Sequence, residues 1–163
     1  MTWRTNDTLS TTDCDYEVVI AAPAAEVWAS IVESDRVERW FFDSYISTDW
    51  AVGSPIHYLA HDGTVDIAGV ITSYDEPNSW SMTFEAHWSR DGSEQVAPAG
   101  EVSWTVTDEG GLTRVCLDHT GIPGGFERAQ EVAAGWPYLL SNLKTYVETG
   151  SPMRARVTSL DDA

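Results

Sequence analysis

Between Ser44 and Thr120 apolar side chains recur at every second position, and from Phe126 to Glu148 they recur at every third and fourth. The first period belongs to strands with one buried face, the second to a helix with one buried stripe. About six antiparallel strands followed by one long helix restrict the chain to an α+β fold in which the helix covers one face of the sheet. The clearest alternation puts Trp80, Met82, Phe84, Ala86 and Trp88 on one face, with Ser81, Thr83, Glu85 and His87 on the other. Ile56 and Tyr58, then Val102, Trp104 and Val106, then Val115, Leu117 and His119 share faces in the same way. Asp62-Gly63, Glu76-Pro77-Asn78 and Glu109-Gly110-Gly111 supply turns, and 89–100 reads as a long polar hairpin loop.

Ahead of the sheet, Asp15 to Ile20 form a short β-branched strand, which Pro23 ends. Val27, Trp28, Ile31 and Val32 then lie on one helical face, and Ser34 and Asp35 cap a second short helix whose inner side carries Val37, Trp40 and Phe41. In the last helix the stripe is Ala129, Val132, Ala133, Trp136, Leu140, Leu143 and Val147, with a kink or restart expected at Gly135 and Pro137. The expected organisation is one domain over 15–149, with flexible tails at 1–14 and 150–163. A sheet of six or seven strands curls and can grip one helix on its concave face. Where the two surfaces diverge, inward aromatics line a gap or fill it.

The 163 residues include 26 acidic and nine basic side chains, of which only Lys144 is a lysine, for a formal charge of −17. No arginine cluster is present to neutralise phosphates, so nucleic acid and anionic membrane surfaces are not expected partners. Such a surface resembles that of proteins from salt-accumulating microbes, in which screening relieves the self-repulsion of carboxylates. The first residues carry neither a basic segment nor an apolar run, and no window is apolar enough for a membrane helix, so a cytoplasmic location is expected. Cys14 and Cys116 lack metal-site spacing and read as free thiols.

His57 and His61 lie four apart on a strand, about 13 Å, too far to share a metal. His119 alternates inward near the end of its strand, where a histidine bonded to a backbone carbonyl is the plain reading and a pocket role the sharper one. No nucleophile triad or phosphate loop is present, and neither a metal nor a cofactor is expected. Trp28 and Phe41 read as core. Trp40, Trp88, Trp104 and Trp136 divide between packing and pocket lining, and Tyr58 offers a polar handle.

The segments IAAPAAEVWASIVESDRVERWF, VDIAGVITSYDEPNSWSMTF, VSWTV, GGLTRVCLDHTGI and GWPYLLSNLKTYVETG, in this order from about Tyr16 to Gly150, resemble the heat-shock protein 90 ATPase activator homologues. That family lies within the START-like (SRPBCC, polyketide-cyclase-like) superfamily. The resemblance implies a helix-grip, Bet v-like fold with a hydrophobic pocket between sheet and C-terminal helix. The eukaryotic co-chaperones also carry an N-terminal chaperone-binding domain for which this chain leaves no room, so chaperone activation is not expected. The leading expectation is a carrier or sensor, monomeric or homodimeric, that holds a small apolar molecule among Trp40, Tyr58, Phe84, Trp88, Trp104, His119, Trp136 and Leu140. The alternatives are a cyclase- or hydrolase-type enzyme with Tyr58 and His119 as proton-transfer groups, and a stress-response or chaperone-associated interaction protein.

Overall fold

The computed structural model describes residues 1–87 and 97–153. Its strands are β1 (Thr2–Asn6), β2 (Thr11–Ile20), β3 (Tyr45–Ser47), β4 (Pro55–Leu59), β5 (Val65–Asp75), β6 (Ser79–Ala86), β7 (Ala97–Asp108) and β8 (Thr113–Pro123). Helices α1 (Ala24–Val32) and α2 (Ser34–Trp40) follow β2, and α3 (Gly125–Ala133) and α4 (Trp136–Thr149) close the chain. All eight strands form one antiparallel sheet in the order β1-β2-β8-β7-β6-β5-β4-β3. The order places the first and last parts of the chain side by side, because β2 pairs with β8 along most of its length.

The sheet has eight strands, not six or seven. Residues expected as a flexible tail form β1 and the start of β2, and Thr2–Asn6 pairs with Thr11–Asp15. Thr12 and Cys14 are buried while Thr11 and Asp13 are only partly covered, so the alternation of β2 begins four residues before the β-branched run that marks it in the sequence. Trp3 anchors this hairpin edge-to-face on Phe126, with ring centroids 5.4 Å apart. The turn at Asp62-Gly63 is also longer than two residues: it runs from Ala60 to Thr64, closed by the Ala60 and Thr64 main chains and by Asp62 Oδ1 accepting from the Thr64 N–H.

Register shifts interrupt four ladders, between Thr12 and Cys14, Tyr58 and Leu59, Ile71 and Ser73, and Thr83 and Glu85. Each bulge adds local twist and bends its strand, which curls the sheet around the C-terminal helices. Those helices restart where the sequence breaks them. Pro137 falls in the first turn of α4, where its missing N–H has no helical partner to lose. Trp136, Leu139, Leu140 and Leu143 of α4 are buried against the sheet. Lys144 fixes its far end, since Nζ donates to the Val19 carbonyl at 2.7 Å and to Glu148 at 2.6 Å, while Glu148 accepts from the Ala21 N–H.

Candidate functional site

Seven of the eight residues expected to line an interior pocket come together between sheet and helix; Trp88 lies outside the described residues. Trp40 comes from α2, Tyr58 from β4, Phe84 from β6, Trp104 from β7, His119 from β8, and Trp136 and Leu140 from α4. They meet as packed core. Phe41 stacks on Tyr58 at 4.4 Å, and Trp104 and Phe84 contact the Trp136 ring edge-to-face at 5.9 and 6.0 Å. Trp40 packs on Trp104 at 6.1 Å and donates its indole N–H to the Ser30 carbonyl. A void able to hold a ligand would leave its walls accessible, yet none of the seven is more than 4% exposed. The tryptophans fill the gap that the curvature opens.

Both nitrogens of His119 are engaged. Nε2 lies 2.6 Å from the Ala99 carbonyl, and the Trp136 indole N–H donates to Nδ1 at 3.1 Å. Nδ1 therefore accepts and Nε2 carries the proton. Burial holds the imidazole down to about 4, against the smaller opposing pulls of the Ala99 carbonyl and Asp13. Burial also raises the Tyr58 hydroxyl far above its ordinary value. A neutral histidine with no free nitrogen and a phenol locked in its protonated form do not make an acid–base pair near neutral pH.

The open space lies elsewhere. A cleft of about 690 Å³ runs between α1, the start of α2, β3 and the β5–β6 turn, with Val32, Ile46 and Pro77 among its walls. Trp28, only 4% exposed, backs this wall from the helical face that also carries Ile31. Trp50 comes from the loop between β3 and β4, and Tyr74 from the end of β5. Their rings form a chain: Trp28 to Tyr74 at 6.0 Å, Tyr74 to Trp50 at 5.4 Å, and Trp50 edge-on to Trp80 at 5.0 Å. Trp50 adopts a left-handed backbone with φ of 61°, uncommon for so bulky a residue, and in that conformation its ring packs on β6. The Trp28 indole N–H is buried without an acceptor among the described residues. Among the described residues Glu33, Asp35 and Glu76 are the charged groups of the lining, and no basic side chain joins them.

Reading the sequence missed Trp50 and Tyr74. Trp50 sits in the turn-rich segment STDWAVGSP, outside any alternating run, which is itself a weak sign of an aromatic held for something other than a sheet core. Tyr74 has the opposite parity to the buried Ile67 and Ile71, but the bulge between Ile71 and Ser73 resets the alternation and pairs it with Trp80. Among the described residues no group of three or more His, Cys, Asp or Glu could hold a metal, and no helix is long and apolar enough to cross a membrane.

Similar folds recur among solved structures. DynU16, a protein in the dynemicin biosynthetic locus, superimposes with a TM-score of 0.70 at 22% identity over 90% of this chain, which spans only 50% of that protein. CalU16 from Micromonospora echinospora gives 0.66 at 20% identity, with 91% of this chain and 83% of that one covered. The Aha1 dimer from Colwellia psychrerythraea gives 0.66 at 17% identity, with 85% and 97% covered. At these identities the likeness establishes the helix-grip fold, an architecture compatible with binding a small apolar ligand. Comparison with curated proteins yields no match. The family described as Activator of Hsp90 ATPase homolog 1-like protein matches residues 21–148, from the end of β2 to the end of α4, and the chain belongs to that family.

Proposed function

We propose that this protein is a small-molecule-binding module whose ligand sits in the cleft walled by Trp28, Trp50 and Tyr74, and not between the sheet and α4. The observation that carries this reading is the contrast between the two aromatic clusters. The interior one is closed by its own rings, whereas the cleft keeps about 690 Å³ open beside the partly exposed Trp50 and Tyr74, with Trp28 buried behind them. That volume is in the range of small-molecule sites, and aromatic walls with a few polar groups are their usual lining. A carrier or sensor role fits a chain whose interior histidine and tyrosine are both held neutral.

The eight tryptophans provide the test. In a fragment screen followed by nitrogen–proton correlation spectra of the full chain, binders should shift the indole resonances of Trp28 and Trp50. Shifts confined to the indoles of Trp40, Trp104 and Trp136 would return the ligand to the interior and overturn the assignment.

A further inference from the structure

We infer that the ligand class of this cleft is an organic cation, an ammonium or quaternary ammonium group on a small apolar body. The inference rests on the cleft being the binding site and adds what it selects. The walls offer the partly exposed Trp50 indole and Tyr74 phenol, whose ring faces carry negative quadrupole potential and attract a cation within about 6 Å of a ring centroid. Tyr74 and Trp50 form this aromatic surface through their 5.4 Å contact, and the buried Trp28 ring packs behind Tyr74 at 6.0 Å. A neutral apolar ligand would use that surface equally well, so the charges of the lining decide between the two.

All three charged groups of the lining are carboxylates. Glu33 is already satisfied by the Arg36 guanidinium at 2.9 Å, and Arg36 is also held by Glu26 at 2.7 Å. Asp35 and Glu76 have no basic partner among the described residues, and both are exposed, one in the first turn of α2 and the other just beyond β5. The Glu76 carboxylate lies near enough to the Tyr74 phenol to add to the rise that burial produces there. The other described basic groups are committed elsewhere: Arg4 to Asp15, Arg39 over Tyr146, Arg114 to Glu17 and Glu109, Arg128 to Glu131, and Lys144 to Glu148. An anionic ligand would meet two unpaired carboxylates and no counter-charge. A cation meets aromatic faces inside and carboxylates at the rim, which favours it over a neutral molecule of the same shape.

Choline and its neutral isostere 3,3-dimethylbutan-1-ol isolate the charge, since they differ in the quaternary nitrogen alone. Titrations at constant ionic strength, with sodium chloride balancing choline chloride, remove the diffuse attraction of cations to a −17 surface. Choline should shift the Trp28 and Trp50 indole resonances with at least about tenfold tighter binding than the alcohol. The double variant Asp35→Asn/Glu76→Gln, exposed at both sites, should erase most of that preference, and Trp50→Ala should weaken both probes. Equal binding of the two at these indoles would overturn the cation inference and leave the cleft as the site. If choline shifted neither indole while fragments did, the inference would fall alone; if nothing shifted them, both readings would fall.

Discussion

The Trp136 indole donates to His119 Nδ1 at 3.1 Å, and through this bond the first turn of α4 is joined to the middle of the gripping sheet. His119 passes the link on, because its other nitrogen bonds the Ala99 carbonyl of β7. One neutral imidazole therefore ties α4, β8 and β7 together inside an otherwise apolar cluster. Protonation would remove the acceptor that Trp136 needs and place a charge where burial disfavours it.

Stability should therefore fall on mild acidification. The folded chain holds His119 near 4 against an ordinary value of 6.5, so between these pH values the unfolded chain binds a proton that the folded chain does not. The contribution is fully present above pH 6.5, declines as the pH falls toward 4, and amounts to about 2 kcal/mol between pH 7.5 and 5.0. Urea unfolding at the two pH values measures it. His119→Gln should flatten the difference while lowering stability at both; an unchanged pH difference in that variant would assign the effect to other groups.

Asn142 predicts a second buried polar dependence. Its Nδ2 donates to the Trp40 carbonyl at 2.9 Å and its Oδ1 accepts from the Met153 N–H at 2.7 Å, with the residue 4% exposed. The side chain thus holds α4 against the end of α2 and draws in the segment after α4. Asn142→Leu keeps the branched outline and strands both backbone groups, at a cost of about 1–3 kcal/mol. Thermal melts at pH 7.5 should register the loss, and a variant as stable as the parent would show that water satisfies both groups.

The sheet and its buried face are legible in the sequence because one period persists: Trp80, Met82, Phe84 and Ala86 are each at most 3% exposed, as their alternation requires. Legibility fails where the period breaks. A bulge resets the parity at Tyr74, a left-handed residue turns Trp50 back onto β6, and β1 is short and polar enough to read as a tail. The seven described interior candidates are all buried, but side-chain volumes along a strand do not state whether facing rings leave space. That depends on how far α4 stands from the sheet, which the α3–α4 break and the bulges set together.

At Gly69 of β5 the neighbouring strand leaves no room for a side chain. A Cβ added there would stand 1.8 Å from the Thr83 carbonyl oxygen of β6, a backbone atom that cannot swing aside. Gly69→Ala should force the two strands apart and lower stability by about 1–3 kcal/mol, seen as a shifted urea midpoint. Val70 N–H, which bonds Thr83 Oγ1 at 2.9 Å, should exchange faster in the variant. Parent-like stability and exchange would mean that the ladder relaxes freely at this position.

The last prediction concerns the charge as a whole. With 26 acidic side chains against nine basic ones, and the described arginines and the single lysine each engaged locally, the excess carboxylates repel one another. Folding concentrates that charge and the unfolded chain disperses it, so screening favours the folded state. At 0.1 M salt the screening length is about 10 Å and at 1 M about 3 Å, short enough at the higher value to separate neighbouring surface carboxylates. The melting temperature should accordingly climb steadily as potassium chloride rises from 0.02 to 1 M on the order of these screening lengths. Potassium sulfate at matched ionic strength should add a further increment, because it also strengthens apolar burial. Screening alone should disrupt the exposed ion pairs of Arg4 and Arg114, which are worth little, so their loss does not reverse the trend. A melting temperature indifferent to chloride would show that the acidic surface is not a determinant of stability, and the salt-adapted reading of the composition would then fail.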